Sequence, residues 1–243
     1  MIYHTSTGQV SSGEAIGILL LDSSVPFIPG DVANATTYDF PVRFQKVQGF
    51  TVARAIGQDP SVYPSLQAAA KEMVQQGVRA VTGDCGFMAL HQRQLANELD
   101  VPVFLSSLLQ IPFILSIIGQ NRKVGILTAD RNGMDEILLD AVGVTDTSRL
   151  VIKGLEKSPH FYQFAIEETG SLDSAAVEKE IVNVGERLVE ENPDIGAILL
   201  ECSLLPPYSQ ALQKAVQLPV FDYVTMINFV FSAVVTRCYQ GFM

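Results

Sequence analysis

Two similar doubly wound parallel-sheet α/β domains, related by pseudo-twofold symmetry with an active site between them, are what this sequence predicts. Two observations carry the expectation. An acidic residue followed by cysteine occurs twice in matching surroundings: Asp84-Cys85 ends GVRAVTGDC and Glu201-Cys202 ends DIGAILLEC, and Pro102 of VPVF and Pro219 of LPVF follow at the same spacing. Apolar strand-like runs also alternate with helical stripes through both halves, the pattern of parallel sheets covered on both faces. Residues 1–115 and 219–243 are expected to form the first domain and residues 116–218 the second.

The first half opens with AIGILLLD, a continuous apolar run of the kind buried in a parallel sheet, followed by the Pro/Gly-rich loop SSVPFIPGD. Leu66, Ala69, Ala70, Met73 and Val74 share one helical face, and Gly77 supplies the C-terminal stop. VRAVTGDC is the next strand, which puts Cys85 at its carboxyl end. The second half repeats the order: VGILTAD is strand-like, Val177, Ile181, Val184 and Leu188 form a helical stripe, and AILLEC after Pro193 is a strand ending in Cys202. Ligand crevices of open α/β sheets lie beyond the carboxyl ends of the strands, so both thiols should face clefts that merge into one. NFVFSAVVTRCY reads as a helix that crosses back to complete the first domain.

Composition narrows the function classes. With 243 residues, 48% of them hydrophobic, the chain has material for a large core without staples or metals. A formal charge of −10 with only 16 Lys and Arg argues against a nucleic-acid partner, which needs clustered cations. The apolar run Ile16 to Leu21 is far too short to span a bilayer, and the first residues lack the pattern of a secretory signal, so a cytoplasmic protein with no membrane partner is expected. Three widely spaced cysteines without CxxC fit neither a disulfide framework nor structural zinc.

The other motifs are thin. GxGxxG is absent, and the glycine spacing from Gly8 to Gly13 is followed by Glu14 where a phosphate-binding lysine is required. His4, His91 and His160 show no metal-ligand spacing, so no metal is expected, and His91 is placed on the solvent side of the helix after Cys85. GxSxG is absent too. Against this background Cys85, between Gly83 and Gly86, stands where backbone can approach a ligand closely. Cys238 has no counterpart in the first half and is read as a structural or surface thiol. Ser106-Ser107 and Thr128 fall at strand ends, where they could hydrogen-bond a substrate carboxylate or serve as ordinary helix N-caps.

The duplicated cysteines and the blocks TGDCGFM, VPVFLSSLLQ, LLECSLLPPYSQAL and LPVFDYVT resemble the aspartate/glutamate racemase superfamily, and more narrowly its branch containing the algal dimethylsulfoniopropionate lyase. The resemblance implies two facing α/β domains and an enzyme without cofactor, metal or pyridoxal phosphate. It makes Cys85 and Cys202 the acid/base pair acting on the proton α to a carboxylate. It also places Asp22 and Ser23 near the substrate, with Gly86, Phe87 and Ser203 beside the thiols holding the carboxylate. Gly86-Phe87 and Ser203 stand where amino-acid racemases show Asn-Thr and Thr; Pro29 to Asp31 keep the lyase pattern, while Ser23-Ser24-Val25 depart from it. Racemase relatives allow a homo-oligomer, although no stripe marks its interface.

Racemisation or isomerisation of an amino acid or small carboxylate is the first functional expectation, elimination of dimethylsulfoniopropionate to acrylate and dimethyl sulfide the second, and non-catalytic small-molecule binding the third. Asp84 and Glu201 would oppose thiolate formation by charge; strand alternation is expected to turn each away from its cysteine.

Overall fold

The computed structural model describes residues 2–5 and 7–243. Its first half runs β1 (Ile16–Leu20), β2 (Val42–Lys46), α1 (Val52–Ile56), α2 (Tyr63–Gln75), β3 (Ala80–Gly83), α3 (Gln92–Glu98), β4 (Val103–Phe104) and α4 (Ile111–Ile117). The second half answers with β5 (Lys123–Thr128), α5 (Glu136–Ala141), β6 (Leu150–Gly154), α6 (Pro159–Ala165), α7 (Ser174–Glu191), β7 (Ile195–Leu200), α8 (Ser209–Val216) and β8 (Val220–Phe221), and α9 (Tyr223–Val234) follows. The strands form two four-stranded parallel sheets of identical topology, β2-β1-β3-β4 and β6-β5-β7-β8. This is the predicted pair of similar parallel-sheet α/β units.

The central strands owe their burial to the apolar runs read from sequence, and two glycines at matching positions let the helices close on them. A Cβ on Gly17 of β1 would lie 2.8 Å from Met73 Sδ of α2, and one on Gly125 of β5 would lie 3.1 Å from Leu188 of α7. A side chain at either position would push these helix residues back from the sheet. The α7 stripe buries Val177, Ile181 and Leu188, with Gly185 facing Leu212 of α8 and Val184 half-buried. Asp173 caps that helix by accepting from the Ala176 amide. Gly77, at φ +92°, makes the turn out of α2.

The edge strands β2 and β6 were not anticipated. Their residues are mostly half-buried, so neither carries the continuous apolar run that marks a central strand.

One large core runs without interruption from the first sheet to the second, joining Leu19 and Val81 to Val124 and Leu199. A smaller core covers the opposite face of β1 and β3, where Ile16, Ile18, Ala80 and Phe104 pack against Tyr223, Met226 and Ile227 of α9. The chain therefore stays in the second sheet through β8 and crosses back after Phe221. Full burial of Tyr223 and Ile227 contributes roughly 1.5–3 kcal/mol per side chain to holding α9 in place. No helix among the described residues is long and apolar enough to cross a membrane.

Candidate active site

Each cysteine sits just beyond the carboxyl end of its strand, in the first turn of backbone after it. Cys85 is extended (φ −150°, ψ 127°) and begins a 3-10 turn over Gly86–His91, its carbonyl accepting from the Met88 amide at 3.0 Å. Cys202 repeats the arrangement, its carbonyl accepting from the Leu205 amide at 3.2 Å. Both thiols are half-buried and free, and both line one cavity of about 50 Å³ between the two halves. A water needs roughly 10–15 Å³ measured this way, so the space suits a few waters or one small solute.

The walls are mainly apolar. Val25 and Phe27 come from the loop after β1, Val52 and Ile56 from α1, and Ala165 and Ile166 from the end of α6. Ser23, Gly86, Phe87 and Ser203 also line it, as do Asp84 and Glu201; none of the described residues lining it is Lys, Arg or His.

Asp84 and Glu201 overturn the expectation that they turn away. Alternation holds only while backbone stays in the pleat, and both acids lie past the last strand residues, Gly83 and Leu200. Asp84 Oδ1 accepts from the Leu21 amide at 2.9 Å, and burial pushes its pKa up to about 8. Glu201 is 1% exposed, and burial pushes it up to about 7 against the lowering effect of hydrogen bonds. Its Oε2 accepts from Thr128 Oγ1 at 2.9 Å and from the Ala129 amide at 3.3 Å, whereas Oε1 is buried without a partner. Oε1 presses on the other half of the molecule, where a Cβ built on Gly86 would lie 1.7 Å from it.

Both thiols are held well above the ordinary range for cysteine, first by burial and second by the charge of Glu201. Backbone amides work the other way: Phe87 and Met88 offer hydrogen bonds to Cys85, and Leu204 offers one to Cys202. The turns after both strands thus aim N–H groups at the sulfurs, and the same donors can stabilise negative charge beside them.

The remaining expected site residues divide. Ser203 donates through its hydroxyl to the Asp84 carbonyl, bridging the halves, and its own carbonyl accepts from Val32 at 3.5 Å. Phe87 is buried and wedged against Gly133, where a Cβ would meet its ring at 2.5 Å. Thr128 spends its hydroxyl on Glu201. Ser106 is buried and caps the turn that follows, accepting from the Leu108 amide at 3.2 Å. Asp22 accepts from Lys46 Nζ at 3.1 Å and the Gly49 amide at 3.2 Å, which lowers its pKa, and it does not line the cavity.

His91 is buried rather than solvent-facing. The 3-10 turn before α3 swings it inward, where it packs near the rings of Phe50 and Tyr63 at centroid distances of 6.0 and 5.6 Å. Cys238 is exposed. Sequence reasoning named the two carboxyls but misplaced their direction, and it missed the apolar wall, of which Val25 and Phe27 in the Pro/Gly-rich loop were the one legible part.

No family model matches the chain. Among solved structures, allantoin racemase from Pseudomonas fluorescens superposes with a TM-score of 0.62 at 16% identity, covering 90% of this chain and 90% of that one. Glutamate racemase from Bacillus anthracis gives 0.60 at 14% identity, covering 90% and 82%. The fold is thus the one these racemases share, two α/β halves with a cleft at their strand ends. Among curated proteins, the dimethylsulfoniopropionate lyase of Durusdinium sp. clade D is 31% identical over 224 residues, 88% of this chain and 73% of that protein. Dimethylsulfoniopropionate lyase 3 of Emiliania huxleyi (strain CCMP1516) is 33% identical over 229 residues, 90% of this chain but 59% of its own length. The chain belongs to the family of the dimethylsulfoniopropionate lyases.

Proposed function

We propose that the chain is a carbon–sulfur lyase that removes the α-proton of dimethylsulfoniopropionate and releases dimethyl sulfide and acrylate. The observation that carries this reading is the cavity lining: two thiols and two carboxyls, with no cationic side chain. A dicarboxylate such as aspartate or glutamate would bring a second negative charge to a site with no basic residue to meet it. A monocarboxylate with a cationic tail faces no such penalty. Similarity to curated lyases over 88% of the chain supports the same choice.

In this reading a thiolate at Cys85 or Cys202 takes the α-proton, forming S–H as the C–H bond breaks. That electron pair becomes the new C=C bond, the Cβ–S bond breaks, and dimethyl sulfide departs with its electrons. One proton is released to solvent per turnover. Charge developing on the substrate carboxylate meets the amides of the turns after β3 and β7.

A second reading, racemisation of a small monocarboxylate, draws on the pairing itself. Elimination needs one base, whereas two thiols on one cavity suit proton removal from one face and return to the other.

Incubation of the purified protein with dimethylsulfoniopropionate, with headspace dimethyl sulfide and acrylate followed together, tests the lyase. Cys85→Ser and Cys202→Ser are expected to abolish release with the fold intact. Absence of both products from the wild type, with α-hydrogen exchange of an amino acid in deuterium oxide, would replace the lyase by the racemase. Absence of both products and of exchange, with a small monocarboxylate bound equally well by the wild type and both serine variants, would point instead to a binding protein.

A further inference from the structure

We propose that Glu201 is the carboxyl partner of Cys85: a positioning residue, supplied by the opposite half of the molecule, that accepts the thiol's proton and then faces the thiolate as a neutral acid. The inference deepens the proton-transfer reading above and rests on it.

Four observations converge. Glu201 is 1% exposed, and its Oε2 is occupied by Thr128 and Ala129 while Oε1 has no partner. A buried carboxyl oxygen left unsatisfied costs stability, so a native structure that keeps one invites a functional account. Oε1 is directed across the boundary onto Gly86, the residue following Cys85, and both Glu201 and Cys85 line the same cavity. Asp22, the carboxylate expected near the substrate, is committed to Lys46 and Gly49. Finally, the titratable groups around Glu201 are all acids: Asp84, Cys85 and Cys202 in the lining, with Asp130 and Tyr223 close enough to interact. With no cation to stabilise a second anion, a proton leaving Cys85 must settle on a neighbouring acid.

Among these acids, Glu201 is the one whose protonation removes most of the charge opposing the thiolate. Its negative charge is the second cause of the raised Cys85 pKa, so moving the thiol proton onto Glu201 removes the repulsion that opposes the thiolate. The pair then titrates as a unit. In the cycle, the Cys85 S–H bond breaks and its proton crosses the cavity that both groups line to form an O–H bond at Oε1. The thiolate takes the substrate α-proton and is again S–H when dimethyl sulfide leaves. Glu201 then passes its proton to solvent, which accounts for the one proton released per turnover.

The test uses full-length protein and Glu201→Gln. The amide is isosteric and its oxygen still accepts from Thr128 and Ala129, so a purely structural role would leave turnover unchanged. The expected result is a fall in kcat of about 100-fold with KM within about threefold. The wild-type rate should rise with pH through about 7, and the Gln variant should lack that limb.

Iodoacetamide labelling of Cys85 in both proteins, read by peptide mass spectrometry across pH, needs no substrate. An inflection near 7 in the wild type, absent from Glu201→Gln, is expected. A single rise above the ordinary thiol range, or equal kcat and labelling profiles for both proteins, would overturn the proposal. If the wild type releases no dimethyl sulfide, the lyase reading fails and the labelling profile alone decides the role of Glu201.

Discussion

Gly86→Ala places a methyl group where Glu201 of the second half packs against the first. Its Cβ would lie 1.7 Å from Glu201 Oε1, 2.3 Å from Cδ and 2.6 Å from Cγ, all well inside van der Waals contact. The carboxyl has little freedom to retreat, because it is 1% exposed and its other oxygen is held by Thr128 and Ala129. Overpacking a filled site costs about 1–3 kcal/mol, and displacing Glu201 gives up two hydrogen bonds at about 1 kcal/mol each. Together these set a destabilisation of about 3–5 kcal/mol. Urea unfolding followed by far-ultraviolet circular dichroism and tyrosine fluorescence measures it, coincidence of the two probes checking that a single transition is present.

The cause is isolated by adding Glu201→Ala, which empties the space the methyl group needs. Gly86→Ala should then cost less than about 1 kcal/mol, a coupling of about 2 kcal/mol or more between the sites. A Gly86→Ala penalty under about 0.5 kcal/mol, or strictly additive penalties, would refute the close contact on which the site geometry rests.

Stability should fall as pH rises toward the alkaline side of neutral. Burial raises Glu201 and Asp31 to about 7 and Asp84 to about 8, so between their ordinary values and these the folded protein binds more protons than the unfolded chain. The contribution is fully present below about pH 4 and lost as pH climbs through 7 to 8, so the urea midpoint should drop between about pH 5 and about pH 8.5, less so in Asp84→Asn. A midpoint that rises over that interval would contradict the assignment. Ser107→Ala removes a buried hydroxyl that donates to the Leu200 carbonyl at 2.8 Å from the other half of the molecule. It should cost about 1–3 kcal/mol by thermal or urea unfolding, and a change under about 0.3 kcal/mol would remove Ser107 from the inter-half contacts.

How far the sequence spoke for the structure depended on whether a residue's role was set locally. β1, β3, β5 and β7 declared themselves because strands buried on both faces are uniformly apolar, and α2 and α7 because one face of each is. Edge strands β2 and β6 mix half-buried and exposed residues and gave no such signal. The two cysteines stood out through duplication, and the fold brings both to one cavity. The direction of Asp84 and Glu201 was misread because the strand alternation used to place them ends one residue too soon. Nothing in the chain around Glu201 announces Gly86 as its neighbour; that contact joins residues more than a hundred positions apart and exists only after the halves pack. His91 went astray for a related reason, a 3-10 turn having replaced the helical register assumed for it.

That two sulfur atoms serve one small carboxylate is best tested by a short bifunctional thiol reagent such as dibromoacetone, with digestion and mass spectrometry to find which cysteines are joined. Cys85 and Cys202 should appear in one cross-linked peptide pair, with Cys238 modified separately, and dimethylsulfoniopropionate should suppress the bridge. Independent labelling of Cys85 and Cys202 without a bridge, or a bridge unaffected by the ligand, would contradict the shared site.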